Sequence, residues 1–149
     1  MANTYWFTGK FTGLDKVERD IRYIKSTLQT QVDRIMLQAA LILEAEVKKL
    51  ITDYELVDTG TLRASVHSFV RNNLTNTEGV VGTNIEYAPF LEYGTGRRGA
   101  ASGHPTVPAD YKYGDSPGIR SYKYMWNAWW NKKDEIQAFI AAELKKVIK

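Results

Sequence analysis

Two short motifs carry most of the shape-specifying residues of this chain: Asp58-Thr59-Gly60-Thr61-Leu62-Arg63 and, further along, Tyr87-Ala88-Pro89-Phe90-Leu91-Glu92-Tyr93-Gly94-Thr95-Gly96. Glycine allows backbone angles that other residues resist, proline fixes φ, and short hydroxyl side chains cap helices. Such a density of these residues indicates a specified corner of the fold. We therefore expect Asp58, Thr59 and Gly60 to build a structural corner, with Asp58 or Thr59 capping a short helical turn.

The sequence upstream of the first motif predicts a long helix. Residues 4–12 are aromatic and β-branched and favour a strand, which Gly13 would end. From Leu14 to Leu50, apolar residues recur every three or four positions. This spacing predicts one amphipathic helix of roughly forty residues, or two helices joined near Ser26.

The residues between the two motifs predict a β-hairpin. Strands are expected over residues 66–71 and 78–83, joined by an asparagine-rich turn. We expect the apolar face of this hairpin to lie toward the long helix. Residues 87–93 would then form a short helical turn that begins near Pro89 and ends at Gly94.

The rest of the chain predicts a loop and a closing helix. Residues 97–120 are rich in glycine and proline and lack periodicity, which predicts a long loop. Residues 121–149 predict a helix. Its expected apolar face comprises Met125, Trp129, Ile136, Ile140, Leu144 and Val147. The predicted fold class is α+β, with a small antiparallel sheet packed against a long N-terminal helix and a C-terminal helix, in one domain over residues 1–149.

Composition narrows the functional classes. Hydrophobic residues make up 44% and charged residues 25% of the chain, as in ordinary globular proteins. The chain has no cysteine, which excludes disulfides and thiolate chemistry. No segment resembles a membrane span or a secretion signal. The net charge of +3 is too small to indicate nucleic-acid binding by itself.

Possible catalytic residues are few, and the sequence predicts no catalytic, cofactor-binding or metal-binding site. Glu86 and Glu92 flank the aromatic turn, but we interpret them as a solvated residue and a cap or salt-bridge partner. Ser65 and His67 would share one face of a strand, without a nucleophile elbow or an orienting acid. His104 has no neighbouring ligand at metal-binding spacing.

The order and spacing of the two motifs resemble the neck or tail-completion family of long-tailed bacteriophages, small virion proteins at the head–tail junction. In that family an Asp-Thr-Gly-x-Leu-Arg segment leads into a strand, as in Asp58–Arg63 here. A Tyr-Ala-Pro-(aromatic or Leu)-(Leu or Val)-Glu-(aromatic)-Gly-Thr segment follows the next strand, as in Tyr87–Thr95. The chain departs from the family at Tyr124–Trp129, where a Pro-Phe-(Leu or Met)-(Arg or Lys)-Pro-Ala stretch commonly opens the last helix.

The resemblance implies a non-enzymatic structural protein of the virion tail or neck, present in the host cytoplasm during assembly. It would work without a cofactor or a membrane, as a ring-type homo-oligomer around the DNA channel. Its neighbours would be head-closure, tail-terminator or tail-tube proteins, with possible non-specific contact with packaged DNA.

Aromatic and basic residues are the candidate contact residues. Trp and Tyr are enriched at protein interfaces. The candidate interface residues are Tyr87, Phe90, Tyr93, Trp126 and Trp130.

Arg97 and Arg98 are candidates for contact with DNA in the channel, because guanidinium groups bind phosphate without reading sequence. The alternative function is a small nucleic-acid-binding protein that uses Arg97, Arg98, Arg120 and the C-terminal lysines. A cell-wall hydrolase that uses Glu86 or Glu92 is a third class.

Overall fold

The computed structural model describes residues 14–56, 60–73 and 76–148, with side-chain surroundings from residue 18 onward. In chain order the elements are α1 (Leu14–Asp53), α2 (Thr61–Ser65), β1 (His67–Asn72), β2 (Thr77–Gly82), α3 (Ala88–Tyr93), α4 (Gly96–Ala101) and α5 (Tyr124–Val147). This arrangement confirms the predicted α+β class. The strand predicted over residues 4–12 lies outside the described residues.

Helix α1 is a single helix of 40 residues, so the alternative of two helices joined near Ser26 is wrong. At the usual helical rise it is about 60 Å long. It ends in a Schellman-type turn, in which the amide of Glu55 donates to the carbonyl of Thr52 and the amide of Leu56 donates to the carbonyl of Ile51, both at 3.0 Å. Glu55 takes the left-handed conformation that this turn requires, with φ of 56°.

The predicted corner contains the short helix α2. Gly60 occupies its N-cap position with φ of 76°. Asp58 and Thr59 lie outside the described residues, so their predicted capping role stays a prediction. Leu62 and Val66 are both buried and anchor the corner in the core.

The hairpin packs on α1 through polar contacts as well as apolar ones. Phe69 pairs with Val80 in the antiparallel register. On the side that faces α1, the hydroxyl of Ser68 donates to Glu44 at 2.7 Å. Phe69 is 47% exposed, so the prediction that the apolar face of the hairpin lies toward α1 is only partly right.

A glycine allows the close approach of β2 to α1. A Cβ at Gly79 would lie 2.7 Å from the carbonyl oxygen of Met36 and 3.3 Å from the Cβ of Ala40. The missing side chain therefore places the hairpin directly on the helix backbone.

Helix α5 runs antiparallel to α1. The side-chain amide of Asn127 donates to the Tyr54 hydroxyl at 3.0 Å, and that of Asn131 donates to Glu46 at 2.9 Å. The buried residues of α5 are Tyr124, Ala128 and Ile136.

The predicted apolar face of α5 was therefore wrong at Trp129, which is 40% exposed. The physical reason is that Trp129 lies in the wall of a cavity between α3 and α5, where its ring meets open space instead of the core around Ala128.

The main core lies where the C-terminal half of α1 meets α2, α3 and the start of α5. Its buried members are Val47, Leu50, Ile51, Leu62, Val66, Ala88, Tyr124 and Ala128. The two motifs therefore supply core residues as well as turns.

The region 97–120 differs from the predicted long loop in two ways. First, it begins with helix α4, which carries Arg97 and Arg98. Second, the following segment folds back on α4, since the amides of Thr95 and Arg97 donate to Ile119 and Ser116 at 2.9 and 2.8 Å. Glycines in both segments permit this contact between two backbones.

Candidate interaction surface

Glu92 joins α3 to the start of α5. The backbone N–H of Met125 donates to Oε2 of Glu92 at 2.8 Å, and that of Trp126 donates to Oε1 at 3.0 Å. The N-cap residue of α5, Lys123, supplies no side-chain cap. The carboxylate of Glu92 therefore takes the capping role from a distant part of the chain and places a negative charge at the positive end of the helix.

His104 completes this buried site. Its Nε2 lies 2.9 Å from Oε1 of Glu92, and its Nδ1 accepts a hydrogen bond from the backbone N–H of Thr106 at 3.1 Å. Because Nδ1 accepts a hydrogen bond, the ring hydrogen is on Nε2, and Nε2 donates a hydrogen bond to Glu92. The two side chains are only 2% and 8% exposed.

This geometry confirms the interpretation of the two glutamates. Glu92 caps α5 and accepts a hydrogen bond from His104, and Glu86 is exposed to solvent. Ser65, for which a strand position was predicted, is instead the last residue of α2. Its hydroxyl donates to Leu62 and lies 2.6 Å from that of Thr83. His67 is exposed.

A cavity of about 430 Å³ lies beside the Glu92–His104 pair, between α3 and α5. Most of its wall is apolar. The wall includes Ile85, Ala88, Pro89, Tyr93, Tyr124, Met125, Trp126 and Trp129. Burial raises the pKa of Tyr124, and the nearby charge of Glu92 raises it further. Burial and Glu92 also raise the pKa of Tyr93, so both phenols stay neutral near pH 7.

The five predicted interface residues divide into two groups. Tyr87, Phe90 and Trp130 are 44%, 48% and 48% exposed. Tyr93 is half-buried, with its ring centroid 4.8 Å from that of His104. Trp126 is also half-buried, and its ring centroid lies 5.6 Å from that of Trp130. Tyr93 and Trp126 thus contribute mainly to the protein's own packing.

Two pairs of aromatic side chains at α3 and α5 are exposed to solvent. We call Tyr87 and Phe90 the α3 aromatics, and Trp129 and Trp130 the α5 tryptophans. Lys133 holds its Nζ 3.8 Å from the centroid of Trp130, a cation–π contact that leaves Trp130 about half exposed. The sequence interpretation missed Trp129 because it assigned that residue to the buried face.

The predicted DNA-contact residues project from an ordered element. Arg97 and Arg98 are adjacent and exposed on α4. Their backbone amides are held by Ser116 and Pro117 at 2.8 and 3.1 Å. Arg120 is exposed as well, with its guanidinium 5.1 Å from the ring centroid of Tyr122.

Within residues 14–56, 60–73 and 76–148, no group of three or more His, Asp or Glu side chains is placed to hold a metal ion. Among the same residues, no helix combines the length and the hydrophobicity needed to cross a membrane.

The bonds of Glu92 hold α3 and α5 together, and aromatic side chains of both elements face solvent. The comparison with known families gives the class of the protein, a bacteriophage tail component. Residues 15–94 match the family described as "Bacteriophage HK97-gp10, putative tail-component", which takes in more than half of the chain. The chain belongs to this HK97-gp10-like family.

The match confirms the resemblance that the two motifs indicated, and it spans α1 from residue 15, the first motif and the second motif up to Gly94. Helix α4, the segment after it and α5 follow the matched region. No curated protein and no solved structure matches the chain.

Proposed function

We propose that this tail component works at the head–tail junction, as a neck or tail-completion protein that assembles into a multimer around the DNA channel. Its place is the tail or neck of the virion, and it passes through the host cytoplasm during assembly. Its partners are further copies of itself and the adjacent head-closure, tail-terminator or tail-tube proteins. The role is structural and needs no cofactor.

The observation that carries this proposal is the exposure of large aromatic side chains on two elements that Glu92 ties together. Phe90 and Trp130 each expose 48% of their surface. Aromatic side chains supply much of the binding energy at protein interfaces when a partner buries them. A ring needs a contact that joins two different faces of neighbouring copies, and the α3 aromatics and α5 tryptophans are candidates for those faces.

A joining assay tests this role. Deletion of the gene from the phage that encodes it should give filled heads and separate tails, visible by electron microscopy, and purified protein added to the lysate should join them. Trp130→Ala and Phe90→Ala should lower the number of joined particles about tenfold or more, since loss of an interface aromatic costs about 1–3 kcal/mol.

Phe69→Ala is the matched control, because Phe69 is 47% exposed but lies on the hairpin. It should join particles as well as the wild type. Joined, infectious particles in the deletion lysate would refute the head–tail role. Equal losses in all three variants would refute the assignment of the contact surface.

A second candidate function rests on α4. Two adjacent exposed arginines on an ordered helix can contact phosphate, and the C-terminal lysines 145 and 146 are exposed too. This arrangement supports non-specific contact with packaged DNA or, in the alternative, a separate nucleic-acid-binding role.

A further inference from the structure

Helix α1 extends beyond the elements that pack on it. Asn131 of α5 lies beside Glu46, and the end of α5 at Val147 is about 24 Å further along, which corresponds to the level of Thr30 on the antiparallel α1. The described end of the hairpin reaches a similar level, since Gln29 donates to Thr77 at 2.9 Å. The turns of α1 before Leu28 therefore project past the described parts of both neighbours.

This projecting part carries an apolar stripe that the described elements leave exposed. Ile21, Ile24 and Leu28 are 58%, 55% and 41% exposed, and they line one surface depression. The sequence extends the same alternation of three and four residues back through Val17 and Leu14. This is the a and d spacing of a coiled-coil heptad, a narrow seam that suits one partner helix.

We propose that the projecting part of α1 pairs with the same segment of a second copy of this chain, with the two helices antiparallel. The orientation follows from the space around the helix. In a parallel pair, helix α1 of the second copy would run beside the first α1 in the same direction. Before it reached its own residue 32, it would enter the volume that α5 occupies. In an antiparallel pair, the second helix lies in line with α5 beyond Val147, and its own domain lies past the N-terminal end of the first helix.

The charges beside the stripe fit the antiparallel arrangement. With Ile21 at position a and Ile24 at position d, both Glu18 and Lys25 occupy position e. Two antiparallel helices bring their e positions together. Glu18 of each copy then faces Lys25 of the other. Within the described residues, Glu18 pairs with Arg22 at 3.6 Å, and both side chains are about 70% exposed, which leaves room for a second partner.

The helix is already formed in the single chain, because its other half is anchored in the core. Pairing therefore costs less ordering entropy than it would for a free peptide of this length. The contact uses the same surface on both copies, so it closes at two copies and cannot by itself build a ring. It goes beyond the proposed ring contact and uses different residues.

Light scattering over a range of concentrations tests the pairing. We expect the wild type to form dimers in the micromolar range, with Ile24→Glu raising the dissociation constant about tenfold or more. Tyr23→Glu is the matched control on the same turns, because Tyr23 is 73% exposed but lies off the stripe, and it should leave the dissociation constant unchanged. Circular dichroism checks that both variants stay helical.

The results of these experiments distinguish the pairing through α1 from the ring contact of the proposed function. A wild type that stays monomeric, or an Ile24→Glu variant that dimerises like the wild type, would overturn the pairing whether or not particles join. Loss of the dimer on Trp130→Ala but not on Ile24→Glu would place self-association on α5 instead. Failure of the joining assay with an intact Ile24-dependent dimer would refute only the head–tail role.

Charge exchange tests the orientation. Lys25→Glu should weaken the dimer by placing two carboxylates together, and the double variant Glu18→Lys/Lys25→Glu should restore it. In a parallel pair the neighbour of Lys25 would be Asp20, so only Asp20→Lys/Lys25→Glu would restore the dimer. That second result would overturn the antiparallel arrangement.

Discussion

At the residue scale, Glu92 shows why a sequence predicts the role of a side chain better than its partner. Its place at the end of a short aromatic turn indicates a cap or salt-bridge partner, and this is what the structure shows. The capped helix begins more than thirty residues later, and nothing in local spacing indicates it. His104 was likewise visible only as an isolated histidine until the fold brought it within 2.9 Å of Glu92.

Replacement of Glu92 should destabilise the protein. Glu92→Gln leaves one carbonyl oxygen to face three donors, the N–H groups of Met125 and Trp126 and Nε2 of His104. We expect the free energy of unfolding in urea to fall by about 1–3 kcal/mol. Glu86→Gln is the control, since Glu86 is exposed, and should change it by less than about 0.5 kcal/mol. Equal effects of the two substitutions would contradict the capping role.

At the scale of elements, the segments with apolar periodicity or turn residues were predicted correctly, and the irregular segment after the second motif was not. Helix α1, both strands, α3 and α5 were predicted near their observed bounds because their apolar spacing or turn residues are local signals. Helix α4 was missed because its sequence, Gly-Arg-Arg-Gly-Ala-Ala, has no apolar face and two glycines. It is held by backbone contacts with the segment that returns beside it, which local sequence does not report.

Those backbone contacts make Gly96 a sensitive position. Gly96 has φ of 58°, and a Cβ there would collide with the carbonyl oxygen of Ser116 and lie 2.8 Å from the amide of Gly118. Gly96→Ala should therefore lower the free energy of unfolding by about 2–4 kcal/mol. It should also make the 102–120 segment susceptible to limited proteolysis.

The matched control for this substitution is Gly114→Ala. Gly114 has φ of 72° but open space around the Cβ position. Alanine there should lower the free energy of unfolding only by the cost of a left-handed backbone, about 1 kcal/mol. If both substitutions had the same cost, the contact between the two segments would not be what fixes Gly96.

At the scale of the whole molecule, the head–tail role and the DNA-contact role differ in how far they depend on the arginines of α4. If Arg97 and Arg98 contact DNA, Arg97→Ala/Arg98→Ala should weaken binding to double-stranded DNA uniformly across sequences. It should also reduce the slope of log affinity against log salt by about 2. Arg63→Ala/Arg71→Ala removes the same charge from other exposed positions and should leave the slope nearer that of the wild type.

Fluorescence anisotropy with a labelled duplex at several salt concentrations measures both quantities. Equal slopes for the two double variants would mean that α4 has no special place in DNA contact. The sequence indicated these arginines by their type alone. It did not indicate that an ordered helix presents them.

The bonds around Glu92 also bear on how a partner can recognise this protein. Glu92 belongs to the same helix as Phe90, and its carboxylate holds the first turn of the helix that carries Trp129 and Trp130. These bonds tie the α3 aromatics and the α5 tryptophans to one anchor. In the proposed assembly, a partner that buries both pairs would need two sites at the separation that this anchor sets, and a partner with a different spacing would lose one of the two contacts.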